Sequence, residues 1–171
     1  AGAKLVVNDG VLLEVEDMVV IDGEIDIIGE AQLIQNHTTT TSNSGDGSLK
    51  IRQQGTTNLY NHNYWSAPTN IAGFWKPGYL EDAAGVISFQ SAYDADPATS
   101  PITLSSSWLH RFSGKSDNYW EWTSIATTTN LAPGLGYTMK GSGAGTTEQE
   151  YVFKGIPNDG DYSFGVVAGN D

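Results

Sequence analysis

Apolar and polar side chains alternate along the first 35 residues of the chain. Between residues 5 and 35 nearly every second position is apolar, and residues that break strands are scarce. A period of two indicates half-buried β-strands, because successive side chains of a strand point to opposite faces. Residues 5–11 (LVVNDGV) are echoed by residues 18–24 (MVVIDGE), with Asp-Gly pairs 13 positions apart. Asp-Gly favours tight turns, so the segment predicts a strand repeat, either solenoid-like rungs or a pair of hairpins.

The same alternation returns beyond a polar stretch. Residues 37–48 consist largely of Thr, Ser, Asn and Gly, which cannot bury apolar area, and they predict a linker or loop. Short strand-like runs then recur every 10 to 20 residues between Gly and Pro turns. This spacing is typical of a β-sandwich or jelly roll. We therefore predict an all-β protein with a strand repeat over residues 1–36, a polar linker or loop over 37–48 and a β-sandwich-like body over 49–171.

Composition narrows the class of partner. The 171 residues carry a formal net charge of −12, with only 8 Lys and Arg. Nucleic acid is excluded as a partner, because its affinity comes mainly from cationic contacts to phosphate. No apolar run approaches the roughly 20 residues of a membrane span, so we expect no membrane insertion. Cysteine is absent, which excludes disulfides and thiolate metal sites.

The polar surface is rich in hydroxyl and amide side chains and poor in charge. Charged residues make up only 16% of the chain, and Thr, Ser, Asn and Gln supply much of the remaining polarity. This composition suits an all-β protein that works outside the cell. The sequence begins with Ala1 rather than Met, so we expect a processed piece of something longer.

Three motifs follow one another in the second part of the chain. They are residues 63–68 (NYWSAP), 133–141 (PGLGYTMKG) and 151–160 (YVFKGIPNDG). Together with the preceding β-rich stretch they resemble a region of large, secreted, multidomain surface proteins of Bacteroidota, especially flavobacteria. Those proteins look like adhesins and are commonly exported by the type IX secretion pathway. The resemblance covers roughly residues 5–165 and implies a location at the cell surface, without assigning a catalytic residue.

Aromatic residues are the strongest candidates for ligand binding. The chain has five Trp and eight Tyr, and their rings stack well on sugar rings while amides and carboxylates take the hydroxyl groups. The alternative is that these rings pack in the core and between strands. Alternation places Trp120 and Trp122 on one strand face, which we expect to be buried. The candidate glycan-binding residues are Trp75, Trp108, Asp117 and Asn118.

One pair of carboxylates suggests a cation site. Asp94 and Asp96 are two positions apart in a loop that contains two prolines. Ca²⁺ takes six to eight oxygen ligands, so this pair is a candidate calcium site; turn formation by aspartate explains the same spacing equally well. We predict no other cofactor, since the histidines lack the spacing of a zinc motif.

These observations favour a non-catalytic extracellular module. We predict a role in adhesion or as a structural, self-assembling filament unit, with neighbouring modules of a longer chain or other copies of the chain as partners. The alternative is a carbohydrate-binding module of a secreted polysaccharide-degrading protein, with surface glycans as ligands. We predict that the chain is not an enzyme, because it has neither a nucleophile elbow nor a phosphate-binding loop. Glu121, beside two tryptophans, is the acid that a glycosidase hypothesis would test first.

Overall fold

The computed structural model describes residues 2–36, 42–112 and 121–165, and these ranges consist mainly of short β-strands. Their two helical elements are single 3₁₀ turns, Pro77–Tyr79 and Ser106–Trp108. The predicted all-β class is confirmed. The strands are β1 Lys4–Val7, β2 Leu12–Val15, β3 Glu24–Ile27, β4 Gln32–Gln35, β5 Ser48–Thr56, β6 His62–Ser66, β7 Thr69–Asn70, β8 Glu81–Asp82, β9 Gly85–Val86, β10 Ser88–Gln90, β11 Thr103–Ser105, β12 His110–Phe112, β13 Trp122–Ser124, β14 Gly136–Lys140 and β15 Glu148–Pro157.

The first four strands pair as stacked rungs. β1 lies parallel to β3 with Lys4 beside Glu24, and β2 lies parallel to β4 with Leu12 beside Gln32. Both pairings join residues 20 positions apart. The 13-residue spacing of the Asp-Gly pairs is therefore not the structural repeat, since one pair follows β1 and the other precedes β3.

Glycine allows successive rungs to approach closely at one corner. A Cβ atom at Gly23 would lie 2.1 Å from the carbonyl oxygen of Ala3, and one at Gly47 would lie 2.0 Å from that of Gly23. No side chain fits at such distances, so glycine is required at both positions. Apolar side chains that point between the strands form a small core of their own. Its buried members are Val7, Ile21, Ile27, Ala31 and Leu49.

β5 belongs both to the rungs and to the rest of the protein. It pairs in parallel with β3, where Ser48 lies beside Glu24, and antiparallel with β15, where Thr56 lies beside Glu148. One sheet therefore runs in the order β1-β3-β5-β15-β8-β9, with β7 also paired to β15. The predicted boundary between residues 48 and 49 falls inside a strand of this large sheet.

The described part of the predicted linker, from residue 42 onward, is hydrogen-bonded to its surroundings; residues 37–41 lie outside the described residues. The Asn43 side-chain amide donates to Gln35 Oε1 at 2.7 Å and to the carbonyl oxygen of Pro157 at 3.1 Å. These bonds connect the end of β4, at Gln35, to the end of β15, at Pro157.

The second sheet is antiparallel, in the order β13-β12-β14-β6, and it packs on the large sheet. The Trp65 ring on β6 meets the rings of Tyr151 and Phe153 on β15 edge to face, with centroids 5.8 and 5.7 Å apart. Such geometry is favoured between aromatic rings. Tyr137 and Met139 of β14 are buried in the same core. Burial raises the pKa of the Tyr137 and Tyr151 hydroxyl groups.

The three sequence motifs come together in this core and at its edge. β14, from residues 133–141, pairs with β6, from residues 63–68. Residues 151–160 supply the inner rings of β15 and then Asn158, whose side-chain amide donates to the carbonyl oxygen of Ala67 at 2.8 Å. The motifs therefore serve the fold, and a ligand site has to be formed by exposed side chains.

Candidate functional site

The outward surface of the four-stranded sheet is unusually rich in aromatic rings. Residues two apart in a strand share a face. On β6, Asn63 and Trp65 lie on the core side, which places His62 and Tyr64 on the outside. Cross-strand pairing extends this outward face over β14, β12 and β13, and Tyr93 and Trp108 adjoin it. We call this surface the aromatic face. It consists of His62, Tyr64, Tyr93, Trp108, His110, Phe112, Trp122 and Lys140.

One half of the aromatic face is a group of three exposed rings. Tyr64 is 70% exposed, Phe112 42% and Trp122 36%. The Trp122 ring centroid lies 6.4 Å from that of Tyr64 and 5.3 Å from that of Phe112. The rings thus support one another while each leaves part of its surface in water. Contiguous exposed apolar surface of this kind commonly marks an interaction site.

The other half is built around Trp108. Its indole nitrogen donates to the carbonyl oxygen of Tyr93 at 2.7 Å, which fixes the ring. The ring centroids of Tyr93 and His62 lie 5.7 and 6.2 Å from that of Trp108. The ammonium group of Lys140 lies 3.3 Å from the centre of the Trp108 ring, a cation–π contact.

Polar groups lie between these two halves. Thr138, the cross-strand neighbour of both Tyr64 and His110, is itself buried. His110 Nε2 and Ser124 Oγ are 3.1 Å apart and share a hydrogen bond. The aromatic face therefore combines flat apolar rings with hydroxyl and imidazole groups able to exchange hydrogen bonds with a ligand.

The positive groups of the face influence one another. Burial, together with the positive charges of Lys140 and His110, lowers the pKa of His62. His62 is therefore more often neutral at physiological pH than a free histidine.

The structure separates the two predicted tryptophans. Trp108 lies on the aromatic face, half-buried and fixed as described. Trp75 is only 2% exposed, and its ring packs 5.1 Å from Phe153 and 5.8 Å from Tyr79. The assignment of Trp75 to a ligand site was wrong, because its ring is part of the core. The predicted Asp117 and Asn118 lie outside the described residues.

Trp122 corrects the expectation for its strand face. We expected Trp120 and Trp122 to be buried; Trp120 lies outside the described residues, but Trp122 is exposed and lies beside Phe112 across the strand pair. β12 pairs with β14 through one residue, His110, so the two-stranded end of this sheet extends past its neighbour. Alternation identified which side chains share a face, but not which face turns outward.

Asp94 and Asp96 form part of a turn. Asp94 is exposed, and Asp96 Oδ1 accepts the backbone N–H of Ala98 at 3.0 Å. The backbone of Asp96 also exchanges hydrogen bonds with that of Thr103. Over residues 2–36, 42–112 and 121–165, no three His, Cys, Asp or Glu side chains are grouped as metal ligands. Turn formation accounts for both aspartates, and the geometry gives no support to calcium.

A cleft of about 630 Å³, whose lining includes residues of β4, β6 and β15, is a weaker candidate for a ligand site. Its lining includes Gln35, Trp65 and Asn158. Gln35 is hydrogen-bonded to Asn43, Trp65 packs in the core and Asn158 holds a backbone carbonyl. These groups serve the fold, whereas the rings of the aromatic face present surface to the solvent.

Three further findings bear on what the chain is. Among the described residues, no helix has the length and apolarity needed to cross a membrane. No curated protein and no solved structure is significantly similar to the chain. A family model described as a domain of unknown function (DUF8693) matches residues 1–171. The chain therefore belongs to this family.

Proposed function

We propose that the chain is a non-catalytic carbohydrate-binding module of an extracellular, adhesin-like surface protein, and that the aromatic face binds the glycan. The observation that carries the proposal is the group of exposed rings formed by Tyr64, Phe112 and Trp122. Aromatic rings bury the apolar C–H faces of sugars, and their fixed positions reduce the entropy lost on binding. His110 and Ser124 lie on the same face and are suited to bind sugar hydroxyl groups.

The cellular setting belongs to the same proposal. The resemblance of the three motifs to surface proteins of Bacteroidota supports secretion, with the type IX pathway as the expected route. The low content of charged residues and the abundance of hydroxyl and amide side chains agree with an extracellular β-protein. A role in adhesion follows if the bound glycan belongs to another cell or to a surface.

The test compares a variant that lacks two rings of the aromatic face with a variant that lacks an exposed tyrosine elsewhere. A double variant, Tyr64→Ala with Trp122→Ala, removes two rings of the aromatic face, whereas Tyr60→Ala removes an 85% exposed ring that is not part of this face. Glycan-array screening of the wild type identifies a ligand, and calorimetry then measures its affinity for each protein. Losing the burial of a ring costs about 1.5–3 kcal/mol, so the double variant should bind at least roughly tenfold more weakly.

Circular dichroism and thermal melting serve as the controls for folding. The double variant should retain the wild-type spectrum and unfold cooperatively, and Tyr60→Ala should bind like the wild type. Failure of the wild type to bind any glycan, or equal affinity of the wild type and the double variant, would count against the proposal.

A second candidate function, self-association, is favoured by a different observation. Within the described ranges, β1 and β2 each pair on one side only, and they carry exposed Leu5, Val6 and Leu12. Unpaired strand edges with apolar side chains recruit further strands. The partner we propose is a second copy of the chain. Sedimentation should then show a concentration-dependent dimer that Val6→Lys abolishes, and a monomer at all concentrations would refute this candidate.

A further inference from the structure

We infer that the aromatic face selects acidic glycans, with the ammonium group of Lys140 on the Trp108 ring as the contact for uronate or sulfate groups. This inference rests on the proposed function, because it names the class of sugar that the same face binds. It follows from the distribution of positive charge over the molecule.

Most cations of the described chain are already neutralised by carboxylates. Lys4, Lys50 and Arg52 hold carboxylate oxygens at 2.7–3.1 Å, and Lys154 lies 3.9 Å from Glu81. Each pair joins strands of the large sheet, so a ligand anion would have to compete with a carboxylate that is already there.

Lys140 differs because its contact is with a ring. Its ammonium group lies over Trp108, and within the described ranges it forms no ion pair. A ring quadrupole attracts a cation but does not cancel its charge. Lys140 therefore keeps its positive charge on a face whose exposed rings, Tyr64, Phe112 and Trp122, can hold a sugar ring.

The described strand positions around Lys140 carry histidines rather than acids. The outward positions of the four strands carry none of the described carboxylates, and Glu121 directly precedes β13. His62, the cross-strand neighbour of Lys140, has its pKa lowered by burial and by the charges of Lys140 and His110. A bound anion would therefore meet no competing carboxylate at the described outward positions of these strands.

The positive charge of Lys140 contrasts with the net negative charge of the whole chain. The chain has 20 acidic and 8 basic residues, so a polyanion is repelled by the molecule as a whole. At physiological ionic strength the Debye length is about 8 Å, which limits that repulsion to short range. A local positive contact is then sufficient to orient an anion on this face.

Uronic acids combine the two features that this face would recognise, a sugar ring and an anion. A uronate carries its carboxylate on a carbon attached directly to the sugar ring, so one residue can stack on an aromatic side chain and present an anion to a neighbouring ammonium group. The Lys140 ammonium group offers the ionic contact, and the exposed rings of Tyr64, Phe112 and Trp122 on the same face offer the stacking surface. A sulfated sugar offers the same combination of a ring and an adjacent anion.

The experiment uses pairs of ligands that differ in charge alone. Polygalacturonate is compared with its methyl ester, and chondroitin sulfate with desulfated, carboxyl-methylated chondroitin, by affinity electrophoresis at low and physiological ionic strength. We expect the wild type to bind at least one acidic polymer about tenfold or more tightly than its neutral counterpart. The difference should shrink as salt is added, because screening weakens the charge contact.

Two lysine variants locate the effect. Lys140→Gln should remove the preference for the acidic polymer, and Lys140→Arg should retain it, because arginine keeps both the charge and the stacking contact. Lys76→Gln is the matched control, since Lys76 also lies over a ring, that of Tyr79, at 5.5 Å. This control should bind like the wild type, and thermal melts of all three variants verify that they are folded.

The outcomes separate the inference from the proposed function. Equal binding of the acidic and neutral polymers, or an acidic preference that survives in Lys140→Gln, overturns the inference and leaves glycan binding in place. If the array of neutral and acidic glycans shows no binding at all, the proposed function and this inference both fail.

Discussion

The outward faces of the two sheets differ in the side chains they carry and in how those side chains are used. On the large sheet, the Glu24 carboxylate lies 2.9 Å from Lys4 Nζ and 2.7 Å from Lys50 Nζ, which links β1, β3 and β5. Arg52 continues the row, with Asp26 at 3.1 Å on one side and Glu150 at 2.7 Å on the other. We call this set of ion pairs the ionic face.

The two faces differ in how many of their side chains already have partners within the protein. On the ionic face the charges are paired across neighbouring strands, so ligand binding would have to break existing contacts. On the aromatic face, the rings of Tyr64 and Trp122 are neighbours and remain 70% and 36% exposed, and Lys140 lies over a ring. The ionic face connects neighbouring strands, and the aromatic face is the one on which we propose that a glycan binds.

The largest effect on stability should come from a residue in the core between the two sheets. Phe153 is fully buried on β15 and packs against Trp65 of the second sheet. Phe153→Ala leaves a cavity where the sheets meet, and we expect a loss of about 3–5 kcal/mol of unfolding free energy. Phe112→Ala, on the aromatic face, should change stability by no more than about 1 kcal/mol because the ring is partly exposed. Urea titration measures both, and equal losses would show that the sheets do not share this core.

A smaller effect should distinguish the two faces directly. The Asp26 side chain is buried and accepts hydrogen bonds from Lys4 Nζ at 3.0 Å and from Arg52 at 3.1 and 3.2 Å. Asp26→Ala should lower the unfolding free energy by roughly 2–3 kcal/mol, since it leaves a partly buried guanidinium group without this partner. Glycan affinity should be unchanged in the folded variant. Trp122→Ala should show the opposite pattern, and parallel losses of stability and affinity in both variants would refute the separation of the faces.

The fold class could be predicted from the sequence because period-two alternation depends only on neighbouring residues. The pairing of the strands could not be predicted in this way. The 13-residue echo of Asp-Gly is a local turn preference, whereas the 20-residue offset between Lys4 and Glu24 depends on how the chain closes a rung. The requirement for glycine at Gly23 and Gly47 is likewise visible only once the rungs are stacked, because the close neighbour comes from another part of the chain.

The candidate site was predictable only in part, for a related reason. Trp75 and Trp108 have the same side-chain chemistry, and burial alone assigns the first to the core and the second to the surface. His62 and Tyr64 alternate with Asn63 and Trp65, so each set has an aromatic member and composition cannot decide which one faces inward. Lys140 has no sequence signal for its contact, since Trp108 is distant in the chain.

The last prediction concerns the pH dependence of stability and should have the smallest effect. Hydrogen bonds from Lys50 and Lys4 hold the pKa of Glu24 below its usual value. Burial opposes ionisation of Asp26, but hydrogen bonds from Arg52 and Lys4 outweigh it and lower that pKa as well. Both carboxylates therefore stabilise the fold above their unfolded-state pKa values of about 4, and this contribution is lost as the pH falls through the lower folded-state values.

Thermal melts between neutral and acid pH measure this contribution. The melting temperature of the wild type should fall below about pH 4, and the double variant Glu24→Gln with Asp26→Asn should start lower and fall less. Glu16→Gln removes an exposed acid outside the ionic face and should keep the wild-type slope. A wild-type slope in the double variant would show that the ionic face does not supply the acid sensitivity.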